Sequence, residues 1–303
     1  MTEFAIETSD LRKTYSDGNE ALRGLTLQVP TGSIFGFLGK NGAGKTTTIK
    51  VLLGMTHPTS GDVRVLGLPA AQQSASVSIR RRTGFVSEEK DLYDSMTVEE
   101  ITRFTAGFFP RWRADLEVRY LRAFDLPVAR RVKKLSRGMR TKLALLLALC
   151  RGADLLVLDE PMSGLDPAVN EEVLQALVRH VADEGATVFF SSHQLADIDQ
   201  IADHVAVVDR GRTVVAGPLD DIRASYRRLQ IVFDRDAPAA TLRSPGVIRT
   251  KREGRVLTVF ASGGAEAIAA EARALNAASV DVMPLTLKEI FLETVNASAE
   301  VEN

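Results

Sequence analysis

"GSIFGFLGKNGAGKTTTIKVLLGM", residues Gly32–Met55, changes character twice. Residues 32–39 form a compact apolar run that ends in glycine, as a buried strand does. A glycine-rich stretch follows. The chain then reads as a helix with Ile49, Leu52 and Leu53 on one face. At the junction, "GKNGAGKT" (Gly39 to Thr46) fits G-x-x-x-x-G-K-[ST], with the preceding strand and following helix that this pattern requires. Gly39, Gly42 and Gly44 let the backbone curl, so that N–H groups of a loop containing Asn41 and Ala43 converge on phosphate oxygens. The helix N-terminus adds its partial positive charge. Lys45 is placed to reach the β- and γ-phosphates and the Thr46 hydroxyl to ligate Mg²⁺, with Thr47 beside them in the cradle.

Downstream, "LLVLDEP" (residues 155–161) is a continuous apolar strand ending in two carboxylates. Asp159 is placed to hold Mg²⁺ through its water shell, and Glu160 to accept a proton from an attacking water. The chain therefore reads as one that binds a nucleoside triphosphate and hydrolyses it.

Around these motifs, apolar strands alternate with amphipathic helices. This predicts an α/β domain over residues 1–222 with a helical insertion at about 88–153. Thr97 before "VEEI" is a capping signal for helical sequence over 97–126. After residue 222 the pattern becomes strand, weak helix (237–244), hairpin turning at Glu253-Gly254, Ala-rich helix, strand and final helix. This predicts a small α+β domain, a ferredoxin-like split βαβ unit, over 223–303. The final helix is expected to pack Ile290, Phe291 and Leu292 inward. The domain carries no catalytic constellation and reads as a dimerisation or regulatory module.

Bulk composition excludes several classes. The 38 basic and 39 acidic residues leave a net charge of −1, so no global field draws the protein to nucleic acid or acidic lipid. A single cysteine, Cys150, excludes an internal disulfide framework and reads as a buried small hydrophobe in a reducing compartment. "MTEFAIETSD" reads as no signal peptide. The longest apolar run, Leu143–Cys150, is far short of the ~20 residues of a membrane span, so action at a membrane needs docking on another protein.

Seven of the thirteen residues from Arg130 to Lys142 are basic, but no aromatic residue interleaves them, unlike a strip that stacks nucleobases. Within the cluster lies "LSRGM" (Leu135–Met139). Ser136 occupies an N-cap position and Gly138 allows close backbone approach, which makes a second anion site. One chain thus offers a cradle and a phosphate reader well apart in sequence. Two chains arranged head to tail would complete two sites.

Taken together, these motifs resemble those of the ABC-type ATPases, the nucleotide-binding subunits of ABC transporters, over residues 4 to about 222 and in family order. Tyr15 resembles the aromatic residue that stacks on adenine. "GKNGAGKT" is the Walker A loop and "LLVLDE" the Walker B strand. Glu88 in "FVSEE" holds the Q-loop position, "LSRGM" resembles the LSGGQ signature, "SGLD" (Ser163–Asp166) the D-loop, and His193 takes the place of the switch histidine. Read from the residues alone, His193 is equally a strand-end histidine with a satisfied ring.

The resemblance implies a sandwich dimer around two ATP. Ser136 and Gly138 would touch the γ-phosphate held by the partner's cradle, Glu160 would be the general base, His193 would contact the γ-phosphate and Asp166 would signal across the interface. Glu88 in place of Gln, whose carboxylate could still approach Mg²⁺, Arg137 and Met139 in place of Gly and Gln, and Lys40 in place of Pro depart from the common pattern. They resemble the branch that serves two-component exporters. That implies integral membrane permease subunits as partners, no nucleic acid, and a cytoplasmic location on the inner face of the membrane. Two other classes were weighed. A soluble ABC ATPase acting on ribosomes or DNA usually has two cassettes or a coiled-coil insertion, which this chain lacks. A degenerate regulatory subunit is opposed by the intact Lys45, Asp159, Glu160 and His193.

Overall fold

The computed structural model describes residues 3–238 and 242–301. Its elements in chain order are β1 (Phe4–Thr14), β2 (Glu20–Pro30), β3 (Ile34–Leu38), α1 (Lys45–Leu52), β4 (Ser60–Val65), β5 (Leu68–Pro69), α2 (Gln73–Arg82), β6 (Thr83–Val86), α3 (Val98–Ala106), α4 (Ala114–Ala123), α5 (Arg137–Leu149), β7 (Leu155–Leu158), α6 (Pro167–Glu184), β8 (Thr187–Ser192), α7 (Leu195–Ile201), β9 (His204–Asp209) and β10 (Arg212–Pro218). There follow α8 (Leu219–Ser225), β11 (Tyr226–Phe233), β12 (Val247–Glu253), β13 (Val256–Ser262), α9 (Ala265–Ala274), β14 (Ala277–Pro284) and α10 (Leu287–Val301). The chain divides into two compact units, Met1–Thr213 and Val214–Asn303, so the division falls inside β10 rather than at residue 222.

The first unit is built on a six-stranded sheet of order β10-β9-β3-β8-β7-β6. The β3, β6, β7, β8 and β9 pairings in it are parallel. β3, β7 and β8 are buried at every position, which is why they read as unbroken apolar runs: both faces of a parallel sheet are covered. Phe189 packs on Phe35 and Phe37 with ring centroids 5.8 and 5.1 Å apart. A second sheet, β2-β1-β4-β5, is antiparallel. Parallel register brings the C-terminal ends of β3, β7 and β8 to one edge, where the motif loops emerge.

The helical insertion is α3 to α5. Thr97 caps α3 in a full capping box, its hydroxyl accepting from Glu100 N while the Glu100 carboxylate accepts from Thr97 N. The stretch 97–126 is mostly helical as expected, in two helices, α3 and α4, separated by a segment containing Gly107 and Pro110. Leu143–Cys150 is buried along α5, so the longest apolar run is a core helix. No helix among the described residues is long and apolar enough to cross a membrane.

The second unit is an antiparallel sheet of order β12-β13-β11-β14. Leu229, Ile231 and Val259 pack with Ile268 and Ala272 of α9. The short helix expected over 237–244 lies in part outside the described residues. On α10, Ile290 and Phe291 are buried as expected, but Leu292 is 42% exposed. The helix buries Leu287, Ile290, Phe291, Thr294 and Val295, an i, i+3, i+4, i+7, i+8 stripe, and position 292 falls outside it. Thr286 and Glu289 cap its start reciprocally.

A buried polar cluster sits among α4, α5 and α6. His180 Nδ1 lies 3.3 Å from the Tyr120 hydroxyl, and Cys150 is enclosed nearby. Burial lowers the His180 pKa to about 4, pushes the Tyr120 pKa up to about 12, and raises that of Cys150 as well, which leaves the thiol inert. In the unfolded chain His180 titrates near 6.5. Between pH 6.5 and about 4 the unfolded state therefore binds a proton that the native state refuses. Stability should fall as pH falls through that window, by up to about 3 kcal/mol. Denaturant melts at pH 7 and pH 4.5 should show a steeper acid loss for wild type than for His180→Gln; equal losses would refute the assignment.

Candidate functional site

The site grows from the turn between β3 and α1. Gly39 N donates to Ser192 O (3.3 Å), which fixes the loop start to the end of β8. A Cβ on Gly39 would lie 2.7 Å from Val208 O. Gly44 has φ +105°, and a Cβ there would lie 2.8 Å from Ala21 O. As the N-cap of α1, Gly44 has no side chain to occupy the first-turn N–H groups, which stay available for an anion. Lys45 is buried beneath the loop. Its ammonium donates to Gly39 O (2.7 Å) and Lys40 O (3.3 Å) and lies 3.1 Å from Glu160 Oε1.

Asp159 and Glu160 leave β7 beside this loop. Both are nearly fully buried. Ser191 on β8 holds both: its hydroxyl donates to Asp159 Oδ1 (2.7 Å) and accepts from Glu160 N (2.9 Å). Glu160 has φ +46°, a left-handed conformation that costs a non-glycine residue roughly 1–3 kcal/mol and is typical of functional sites. Its Oε2 lies 2.8 Å from His193 Nδ1, and its Oε1 has no hydrogen-bond partner: the contact with Lys45 has ion-pair distance without hydrogen-bond alignment. Lys90, also buried, donates to Glu88 O (3.1 Å) and Glu160 O (3.4 Å). Burial, aided by the Arg137 charge, lowers its pKa.

An open cleft of about 460 Å³ covers this machinery. Asn41, Gly42, Gly44, Lys45, Thr46, Thr47, Glu88 and Glu160 line it, together with a wall from Asn19 to Arg23 and with Arg210. Gly39, Ala43 and Asp159 support it from behind. Tyr15 flanks the cleft, its hydroxyl 3.3 Å from Thr47 Oγ1 and its ring 5.2 Å from the Lys13 ammonium. His193 reaches the cleft through Glu160. Ser136 and Gly138 do not line it. Ser136 caps α5 by accepting from Met139 N, and Gly138 packs against Val169, where a Cβ would meet the valine methyls at 3.2 Å. In the basic run, Val132 and Leu135 are buried and Arg140 pairs with Asp94 at 2.6 Å, so the run is no continuous cationic strip.

A pocket of loop N–H groups, a buried ammonium and paired carboxylates suits a polyphosphate. The oxygen donors of Thr46 and Asp159 suit a hard cation such as Mg²⁺, and the unsatisfied Glu160 Oε1 is left to accept a proton. No cluster of three or more His, Cys, Asp or Glu among the described residues would cage a metal alone. Such sites hold Mg²⁺ with one or two carboxylates plus the substrate's phosphates.

Comparison with known proteins agrees with this geometry. The ABC transporter family pattern matches residues 22–163. The chain is 34% identical to the bacitracin transport ATP-binding protein BcrA of Bacillus licheniformis over 74% of its own length and 72% of the relative's. It is 32% identical to the daunorubicin resistance ATP-binding protein DrrA3 of Streptomyces coeruleorubidus over 100% and 99%. The chain belongs to the ABC transporter ATP-binding protein family. A solved ATP-binding subunit of an ABC transporter superposes with TM-score 0.66 at 31% identity, covering 73% of this chain and 92% of that one. The cleft is thus that of an ABC ATPase, which binds and hydrolyses ATP.

Some residues of this ABC ATPase site were not among those singled out from the sequence. Ser191 lies two residues before His193 in "SSH", but its two hydrogen bonds, to Asp159 and Glu160, depend on the β7–β8 register. Lys90 ends the charged run "SEEK", which looks solvated until the loop folds under β7. Replacing Ser191 with Ala leaves a buried N–H unpaired and Asp159 one bond short. ATP turnover should fall roughly tenfold to a hundredfold, with ATP affinity unchanged because the Lys45 loop is untouched. Unaltered turnover in a steady-state ATPase assay would show that Ser191 positions neither carboxylate.

Proposed function

We propose that two copies of this ATP-binding subunit close head to tail around two Mg²⁺-ATP and that closure drives substrate export through membrane subunits on separate chains. The observation that carries the reading is the division of the phosphate-binding parts. The cleft holds cradle and carboxylates but lacks Ser136 and Gly138. Ser136 stands exposed at a helix N-terminus, its oxygen already accepting from Met139 N, so its hydroxyl proton is left to donate. A second copy facing the first would bring that donor to the γ-phosphate.

In the closed site, Lys45 and the loop N–H groups hold the β- and γ-phosphates, and Tyr15 flanks the base. Thr46 and Asp159 would hold Mg²⁺, with Glu88 at the rim, and the ion would neutralise phosphate charge. Glu160 accepts a proton from the attacking water, whose oxygen bonds to the γ-phosphorus as the bond to the bridging oxygen of ADP breaks. His193 orients Glu160 through its 2.8 Å contact. In the head-to-tail arrangement Asp166, which caps α6 by accepting from Val169 N, would lie beside the interface.

The membrane partner would dock on the helical insertion. Tyr93, Phe104 and Phe108 form an edge-to-face chain with centroids 5.6 and 5.1 Å apart, and all three are exposed. Leu92 and Thr105, neighbours of two of them, line a groove of about 330 Å³ with Phe85 and Leu147. Exposed aromatic clusters beside an apolar groove mark protein interfaces. The similarity to relatives named for bacitracin transport and daunorubicin resistance supports the export reading. The subunit would then lie peripherally on the cytoplasmic face of the membrane.

Glu160→Gln should bind ATP, hydrolyse it very slowly, and sediment as a dimer carrying two nucleotides; a monomer at saturating Mg²⁺-ATP would sink the reading. Replacing Tyr93, Phe104 and Phe108 together with Ser should leave ATP affinity unchanged and abolish salt-resistant binding to membranes of the native host. Equal membrane binding by the triple variant, or wild type recovered on ribosomes or DNA instead, would contradict it.

A further inference from the structure

The signature position that resembles glycine elsewhere in the family is Arg137 here, and its side chain is not idle. Its Nη2 donates to Ser163 O at 2.8 Å. The guanidinium lies against Gly164, close enough that a Cβ there would be 2.4 Å from Cζ. Gly164 has φ +68° and no side chain, so it admits this approach. Ser163 N in turn donates to Glu160 O at 3.2 Å. The same carbonyl accepts from Lys90, which also bonds Glu88 O. On the other side of Arg137, Ser136 and Gly138 belong to the phosphate reader, and Gly138 abuts Val169 near the start of α6. A chain of bonded groups therefore runs from the reader, through Arg137 and the turn at Ser163, to the backbone of Glu160.

We propose that Arg137 is a positioning residue that ties the phosphate reader of a subunit to the Glu160 of the same subunit. Engagement of the ATP held by the partner's cradle then sets the carboxylate in the subunit's own site. The inference rests on the head-to-tail dimer proposed above. A glycine at this position would supply no donor and leave the Ser163 carbonyl to other partners. A planar, always charged guanidinium makes a directional bond to that carbonyl, and its close approach to Gly164 restricts the direction. The turn at 160–166 is the element that both sites bias, so the tie predicts positive cooperativity between the two ATP sites.

Two measurements on the full chain test this. In steady-state ATPase assays, wild type should show a Hill coefficient approaching two, and Arg137→Met, which keeps the stem but no donor, a value near one. Turnover by Arg137→Met should fall roughly tenfold. Arg137→Lys, with an ammonium donor but no planar guanidinium, should recover part of both. The second readout needs no turnover. In Glu160→Gln, Mg²⁺-ATP should slow hydrogen exchange at the amides of residues 163–166. In Glu160→Gln/Arg137→Met that slowing should be lost although ATP still drives dimerisation. If Glu160→Gln stays monomeric with ATP, the dimer reading itself fails. If both variants dimerise and protect the turn equally, or if wild type is non-cooperative, the role of Arg137 is overturned.

Discussion

Lys45 and Glu160 face each other 3.1 Å apart with 6% and 7% of their side chains exposed. Two opposite charges tolerate such enclosure only when each is held by further polar partners, because desolvation is costly and their mutual attraction alone barely offsets it. The partners come from the ends of three parallel strands. β3 delivers the loop whose carbonyls bind the Lys45 ammonium. β7 delivers Asp159 and Glu160. β8 delivers Ser191 and, just beyond its end, His193. Because β3 pairs with β8 and β8 with β7 in parallel, all three arrive at one edge of the sheet. The buried aromatic stack of Phe35, Phe37 and Phe189 lies between the strands that carry them.

The same pair bears on the proposed dimer. Glu160 is held between Lys45 and His193, and its carbonyl is bonded by Lys90 and Ser163. A polyphosphate in the cleft would compete with Glu160 for the Lys45 ammonium, and the carboxylate so released would be the proposed proton acceptor. The reader at Ser136 lies outside the cleft of its own chain, and in the proposed dimer another copy would supply charge stabilisation of the γ-phosphate from that side. Site assembly and subunit closure would then be one event.

Much of the site is legible in the linear chain because it is encoded locally. Walker A spacing alone sets the loop, its glycine conformations and the buried lysine. "LLVLDE" gives a strand and its terminal acids in a single stretch, and Ser136 caps α5 as its position before "RGM" implies. What stays hidden depends on pairing between distant strands or on a loop folding back. Ser191 acquires its role from the register of β8 against β7. Lys90 reads as the end of a solvated charge run and is instead buried under Glu160. The Asn19–Arg23 wall of the cleft has no motif. α2 was not expected, since its polar face exposes all but Ser76 and Ile79 to lesser or greater degree and gives almost no apolar period. Leu292 follows two buried apolar residues but lies off the stripe that helical geometry buries.

The account turns on the claim that Glu160 and the nucleotide compete for Lys45. Titration calorimetry with a non-hydrolysable ATP analogue, on wild type and on Glu160→Gln, tests it most directly. Removing the carboxylate charge should tighten binding by roughly tenfold, while Lys45→Ala should abolish it in both backgrounds. Unchanged or weaker binding by Glu160→Gln would show that the pair is no resting lock on the phosphate cradle, and would contradict the account at its base.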